Sequence, residues 1–422
     1  MGDWTSIFNS WISARRTRKT IRNIERNNEI RRNITRYQPS DIEGFIERDP
    51  HVGSYIISGG TSHNRSRAAA SAVACSLYQK IPVVVLHEGN IDLQNQVSVA
   101  TSFTNNKVII KKNTSVYDPF YNRTNTEICN LIMNSTQENF KIGALGQQYI
   151  IGIVEFIKSK NIPPFCEMLV SCPHDSLFEK IDDAEQQGYI SSQKAIKIRN
   201  QLMQGQNERS NVQIFFSQLA NQGIGILSNK GNRYASVNIK TAVAHNGMLM
   251  IDIGSSTNDI LLNLIMNEIK EVLATGKQLM LVLDSININS NDMLSKVIRS
   301  LSSRCLTTIL ADDVYSMLGS DDNLFYSFVG NVNKCIVFSH TVGVTCNKWS
   351  EVFGHYDVEK VSKNIGGNHN YQWGYGFGSQ YSVNVTSNRE FIVKPEEIAR
   401  MKQDEVYILD KNVQELAHTT LR

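Results

Sequence analysis

The sequence predicts an α/β protein, in which a mostly parallel sheet flanked by helices carries an all-helical insertion. Three observations predict it. Apolar runs of strand length alternate with helix-forming stretches from Tyr55 onward, the pattern of parallel strands joined by crossover helices. Residues 140–222 interrupt that pattern with helical spacing, strong helix formers and few β-branched runs. The longest apolar runs, such as Ile81–Leu86 and Leu279–Leu283, suit buried strands and are far too short to cross a membrane.

The elements follow in chain order. Trp4, Ile7, Phe8, Trp11 and Ile12 fall at i, i+3, i+4, i+7 and i+8, one face of a helix. Arg15, Arg16, Arg18 and Lys19 follow at once. Two tryptophans ahead of a basic cluster suit a helix lying in a membrane interface. They suit equally a helix docked on its own body or on a neighbouring subunit. Pro39 ends this arm. A strand at Tyr55–Ser58 leads into a glycine turn, a helix near Arg65–Gln79 and a strand at Val83–His87. A short β-prone run, Lys107–Lys111, precedes the helical segment. Alternation returns with strand Met248–Ile253, helix Asn258–Leu273 and buried strand Gln278–Leu283 ending in Asp284. Helix Leu294–Ser302 and strands Thr307–Ala311 and Lys334–Ser339 complete it. The expected organisation is an arm at 1–40, a core in two parts at 41–139 and 223–422, and the insertion at 140–222. A Gly/aromatic-rich hairpin at 363–388 carries Tyr371, Trp373, Tyr375 and Phe377. Such aromatics can stack bases, although a contact arm is the commoner use.

Composition narrows the function classes. The chain has 422 residues, 41% hydrophobic and 20% charged, as in soluble globular proteins. No signal-peptide pattern is visible. Seven cysteines, an odd number with no metal-ligand spacing, read as reduced thiols in a cytoplasmic protein. Residues 1–37 hold nine Lys/Arg and three acids, while the remainder holds 34 basic and 37 acidic residues. The basic footprint is therefore confined to the arm, which points it at an anionic surface.

Gly59–Ser66 reads G-G-T-S-H-N-R-S, a partial match to the phosphate loop G-x-x-x-x-G-K-[ST]. That loop works because glycines let successive N–H groups converge at a helix start. Its lysine reaches the outer phosphates and its Ser/Thr holds magnesium. Gly59, Gly60 and Ser66 keep part of this. Asn64 replaces the second glycine and Arg65 the lysine. Gly59, Gly60, Thr61, Ser62, His63, Asn64, Arg65 and Ser66 are the candidate nucleotide-binding residues. The run "QLMLVLDSI" is a second signal: it places Asp284 where the acid of a magnesium site belongs, but Ser285 follows it and cannot serve as a general base near neutral pH. Arg65, His63 and Glu88 are candidates to compensate. The candidate catalytic pair is Asp284 and Arg65, and Ser66 with Asp284 would hold magnesium if nucleotide binds.

These motifs, together with "YDPFYN", the helical insertion, the segment "TTILADDVYSMLG" and the closing run from Trp349 to Leu409, resemble the type IV secretion coupling proteins. These are the TraG/TraD-like conjugative DNA-transfer ATPases of the RecA-like, FtsK/HerA class. The resemblance covers roughly residues 50–410. It implies a RecA-like P-loop NTPase core, a hexameric ring, and delivery of DNA or protein substrate to secretion-channel components. It places Asp312 near the family's sensor glutamine and Arg304 as a trans-acting arginine. The departures at Asn64, Arg65, Ser285 and Asp312 point the same way, to a divergent member with weak or no ATP hydrolysis. ATP and magnesium are then the cofactors only if turnover persists, and none is expected for a pseudo-ATPase. Partners would be like subunits or an active paralogue, and the arm would give peripheral contact at the inner face of the cell membrane. The competing readings are an active ATP-driven translocase and a non-enzymatic membrane scaffold.

Overall fold

A computed structural model describes residues 4–37, 53–110, 116–136, 141–159, 166–223, 226–227, 236–254, 259–286, 305–367 and 379–420. The chain divides into two compact units, one of residues 41–335 and one of residues 1–40 with 336–422. The strands in chain order are β1 (Ile34–Arg36), β2 (Tyr55–Ser58), β3 (Val83–His87), β4 (Lys107–Ile110), β5 (Val116–Tyr117), β6 (Ser236–Val237), β7 (Met248–Asp252), β8 (Leu279–Asp284), β9 (Cys305–Ala311), β10 (Lys334–Val337), β11 (His355–Gly367), β12 (Ser379–Phe391), β13 (Glu405–Asp410) and β14 (Glu415–Thr420).

In the larger unit, β2, β9, β8, β3, β7 and β4 lie side by side in that order, all parallel. Every residue of β2, β3, β8 and β9 is buried. Burial on both faces explains why these strands read as continuous apolar runs with no alternation. Each fully buried Val, Leu or Ile contributes on the order of 1.5–3 kcal/mol. The helix Ser62–Tyr78 lies over the sheet through Ala68, Ala69, Ala72 and Val73, all without exposed surface, and packs on helix Ile91–Ala100. Small side chains on that face let helix and sheet approach closely.

The insertion is helical, as its composition predicts. Its helices are Ala144–Ser159, Cys166–Val170, Leu177–Gln186, Ser192–Gln204 and Arg209–Gln222. The first helix buries Ile150, Ile153, Val154 and Ile157 at the i, i+3, i+4, i+7 spacing of a stripe, and the fourth, which packs on the first, buries Ala195, Ile198 and Leu202. Val212, Phe215, Phe216 and Leu219 give the last helix the same stripe.

The "YDPFYN" segment fastens this insertion. The buried Asp118 carboxylate accepts N–H bonds from Phe120 at 3.0 Å and from Cys166 at 3.1 Å. Burial outweighs those bonds, and the nearby Glu268 adds to it, so the carboxyl is pushed from 3.8 up to about 7. A carboxyl raised on folding contributes stability that is complete below its unfolded value and lost as pH rises through its folded value. Unfolding of the wild type monitored by circular dichroism is therefore expected to lose on the order of a few kcal/mol from this group between about pH 4 and 7. In Asp118→Asn that part of the slope should vanish. An unchanged slope would show that Asp118 is ionised throughout.

In the smaller unit, β13 and β14 form an antiparallel pair and β1 adds to β14 in parallel. The helix Gly343–Phe353 ends at Gly354, whose φ of 91° suits glycine. The long ribbon β11–β12 and helix Pro395–Ala399 follow. Two strands follow that helix, and the turn at Gln414 (φ 55°) folds Glu415–Thr420 back on β13. The hairpin is present, but Tyr371, Trp373, Tyr375 and Phe377 lie outside the described residues, as does the expected helix Leu294–Ser302.

The arm is one helix, Trp4–Arg32. Its second half docks on the smaller unit. Ile24 is buried, and the Asn28 carboxamide pairs with the Glu359 backbone at 2.9 Å in both directions, as a neighbouring strand would. Arg31 meets Glu359 at 2.8 Å, and Arg32 donates to Ile392 O and pairs with Glu397. Of the residues assigned to a membrane interface, Trp11 is 56% exposed, with the Arg15 guanidinium 5.3 Å above its ring. Ile12 is half-buried, and Arg15 and Arg16 are exposed. The side chains of Trp4, Ile7 and Phe8 are outside the described set. No described helix is long and apolar enough to cross a membrane. None of the seven cysteines, all of them among the described residues, forms a disulfide, and five are buried.

Candidate nucleotide site

In parallel α/β sheets, sites form beyond the carboxyl ends of the strands. Here those ends bring together Ser58, His87, Asp252, Asp284 and Ala311. His87 stands in register with both Asp252 and Asp284, and Ser58 with Ala311. The glycine turn rises from β2 into this place.

The turn is shorter than a phosphate loop. Gly59 and Gly60 take φ values of 86° and 64°, a left-handed pair that suits glycine. Gly59 N–H donates to Ala311 O at 3.1 Å. Thr61 then caps a helix, its hydroxyl accepting the Asn64 N–H at 3.2 Å. The helix therefore begins at Ser62, three residues before the start that the sequence pattern anticipated. Ser62, His63 and Asn64, which a phosphate loop would leave as open backbone, form the first helical turn. The reason is local: a threonine after two glycines is a strong helix start, and Asn64 lacks the freedom of the glycine it replaces.

Arg65 turns back over this short loop. Its Nη1 donates to Gly59 O at 3.0 Å and to Gly60 O at 2.7 Å. It is 9% exposed. Burial lowers its pKa, opposed by the charges of Asp284 and Asp312. Ser66 is fully buried, Asn64 is buried, Thr61 and Ser62 are half-buried, and His63 points to solvent.

Asp284 ends β8 at 2% exposure. The Asn90 Nδ2 donates to its Oδ2 at 2.5 Å, and the Ser285 hydroxyl donates to its Oδ1 at 3.1 Å. Burial raises the Asp284 carboxyl, opposed by those two bonds and by Arg65. Ser285 itself is exposed, at φ 58°. Asp312 is exposed after β9, close enough to act on Arg65, and accepts the Asp313 N–H at 2.9 Å. Glu88 is exposed as a whole residue, but partial desolvation of its carboxyl, with the charges of Asp284 and Asp252, raises its pKa. Arg304 lies outside the described residues. Among the described residues no cluster of three or more His, Cys, Asp or Glu could hold a metal ion.

Two residues of the site escaped the sequence reading. Asn90 sits on the turn after β3 and Asp252 ends β7, and Gly89 N–H donates to Asp252 Oδ1 at 2.9 Å. The signal for Asn90 was present in "HEGN", an asparagine directly before a helix, and therefore a cap.

No family model matches the sequence, and no curated protein matches it. Solved structures do match. The plasmid coupling protein TrwB, in complex with a non-hydrolysable ATP analogue, is similar at TM-score 0.53 and 13% identity, over 91% of this chain and 89% of that chain. TrwB in complex with ADP and Mg2+ matches at TM-score 0.47 and 12% identity, over 87% of this chain and 85% of that one. VirB4 of Thermoanaerobacter pseudethanolicus matches at TM-score 0.46 and 8% identity, over 87% and 89%. The first of these likenesses gives the chain the fold of TrwB, an α/β core with a mostly parallel sheet flanked by helices.

Proposed function

We propose that this chain is a coupling-protein-like subunit of a type IV secretion or conjugation machine, one that recruits or passes DNA or protein substrate without turning over ATP. The fold of TrwB supports the setting. The observation that carries the absence of turnover is the Arg65 guanidinium, which donates to the carbonyls of its own loop at 2.7 and 3.0 Å. A nucleotide site needs that charge aimed outward at phosphate. Here it faces inward and satisfies Gly59 and Gly60.

The residues present do not fit a magnesium-bound nucleotide. The loop is closed into a helical turn, Asp284 and Asp312 lie near the inward-facing Arg65, and Glu88 lies near Asp284 and Asp252. Polyphosphate brought there meets like charge. No residue in the position after Asp284 can take a proton from water, because Ser285 stands there. The subunit then works by shape and recruitment, in a ring with its own copies or with an active paralogue, against secretion-channel components. The exposed Trp11, Arg15, Arg16, Arg18 and Lys19 support peripheral contact of the arm's first half with an anionic membrane face.

The test is nucleotide binding and hydrolysis by the full-length protein with magnesium, with and without single-stranded DNA. The expected result is no saturable ATP binding at about 1 mM, the upper end of ordinary KM values, and release of phosphate no faster than without protein. Turnover that disappears in a folded Asp284→Asn variant would make the chain a working motor.

A further inference from the structure

We propose that the Asn90 carboxamide takes the place of the divalent cation at this site, so that Ser66 and Asp284 hold no metal while Asn90 is present. The inference deepens the non-hydrolysing reading of the same site and rests on it.

In a nucleotide hydrolase of this kind the cation is held by the hydroxyl after the loop's basic residue and by the acid at the end of a neighbouring strand. Those two groups are Ser66 and Asp284. Between them stands one nitrogen. Asn90 Nδ2 donates to Asp284 Oδ2 at 2.5 Å and reaches Ser66 Oγ at 3.4 Å. A carboxamide nitrogen carries two N–H donors, so it can serve both oxygens at once.

The orientation of the amide is set by its other end. Oδ1 accepts the Leu93 N–H at 3.0 Å as the cap of helix Ile91–Ala100, and the Ser62 hydroxyl lies 3.4 Å away. Leu93 N–H needs an acceptor, so the NH2 group must face Asp284. The turn behind it is held as well. Asn90 N–H donates to His87 Nδ1 at 3.2 Å, and Gly89 N–H to Asp252 Oδ1. His87 is buried and its ring is held below its ordinary pKa by that burial, which suits a neutral acceptor. The amide is therefore built into the fold. It ties helix Ser62–Tyr78, helix Ile91–Ala100 and β8 together, and a cation held by Ser66 and Asp284 would tie the first and last of these.

Asn90→Asp is the discriminating change. It keeps an oxygen for the Leu93 cap and exchanges the donor nitrogen for a second acceptor. Two carboxylates then face each other across a hydrogen-bond distance, where a bound cation, in competition with a shared proton, relieves their repulsion. Full-length wild type and variant are titrated with manganese(II), reading free metal by electron paramagnetic resonance and Tm by circular dichroism. The wild type is expected to bind no manganese that Asp284→Asn removes, and its Tm should not move. Asn90→Asp should bind one equivalent, with Tm rising roughly 5 °C at a metal concentration about 100 times its Kd. The double variant with Asp284→Asn should lose both effects. If Asn90→Asp folds only with metal present, that dependence is itself the expected result. Asn90→Ala, which removes the amide without adding charge, should bind manganese more weakly at the same place. Manganese bound by the wild type at Asp284, or folded Asn90→Asp and Asn90→Ala proteins that take none, would overturn the proposal. The titrations contain no nucleotide. ATP turnover by the wild type would therefore sink the non-hydrolysing reading, and the manganese result would still decide the role of Asn90.

Discussion

Arg123→Met is expected to destabilise the larger unit by about 3–5 kcal/mol, the usual result of breaking a buried ion pair from one side. The Arg123 and Glu268 side chains are 1% and 0% exposed. Nη2 of Arg123 meets Glu268 Oε1 at 3.1 Å, and Nη1 meets Glu271 Oε2 at 2.5 Å. Glu268 also accepts from the Tyr117 hydroxyl at 2.8 Å and the Lys240 N–H at 3.2 Å. Three segments of chain thus converge on one carboxylate. Burial already raises the Glu268 carboxyl, with Arg123 as the leading opposing influence. Without the guanidinium, Glu268 must either stay charged in an apolar place or take up a proton. The loss should therefore be smaller at low pH, and Arg123→Met/Glu268→Gln should recover much of it. The effect reaches the insertion, because Lys158 Nζ donates to Arg123 O at 3.0 Å and to Asn125 Oδ1 at 2.6 Å. Urea unfolding measures the change, and a loss under about 1 kcal/mol would show that the pair is replaceable by packing alone.

What could be read in advance follows from how far each feature's cause lies along the chain. The strands of the larger unit were legible because burial on both faces writes itself as an apolar run. Asp284 was legible because it ends such a run. The insertion was legible from its helical stripe. The roles of Arg65 and Asn90 were not. The sequence shows that Arg65 keeps a charge, but its direction depends on a helix starting at Ser62 instead of three residues later. Asn90 reads as a helix cap, which it is; its other partner, Asp284, is 194 residues away. The arm divides the same way. Its helix is visible in the spacing of Trp4, Ile7, Phe8, Trp11 and Ile12. The docking of its second half through Asn28 and Arg32 depends on β11 and on residues near β12, more than 300 positions on. β14 was missed because its six residues form no apolar run and its partners include β1, near the other end of the chain.

Arg65→Ala separates the two roles a basic residue can have at this position. In a working nucleotide site the basic residue serves phosphate, so its removal costs turnover and leaves the fold intact. Here the guanidinium serves the protein. It donates charge-assisted bonds to Gly59 O and Gly60 O, and it is a cation beside the buried Asp284. Both bonds come from one charged nitrogen, whose hydrogen bonding contributes about 1.5–3 kcal/mol, and stranding a buried carboxylate adds to the loss. Arg65→Ala is therefore expected to lower stability by roughly 2–4 kcal/mol. Arg65→Lys should fall between, since an ammonium carries the charge without the planar fork. The pH dependence has a definite sign. Burial raises the folded Asp284 carboxyl and Arg65 opposes that rise, so removing Arg65 pushes it higher. A group raised in this way loses its stabilising contribution as pH rises. The penalty of Arg65→Ala must then grow from acid to alkaline pH, and urea titrations at about pH 5 and pH 8 would show it. An Arg65→Ala protein as stable as the wild type at both would return the guanidinium to the solvent side of the loop, where a phosphate could meet it.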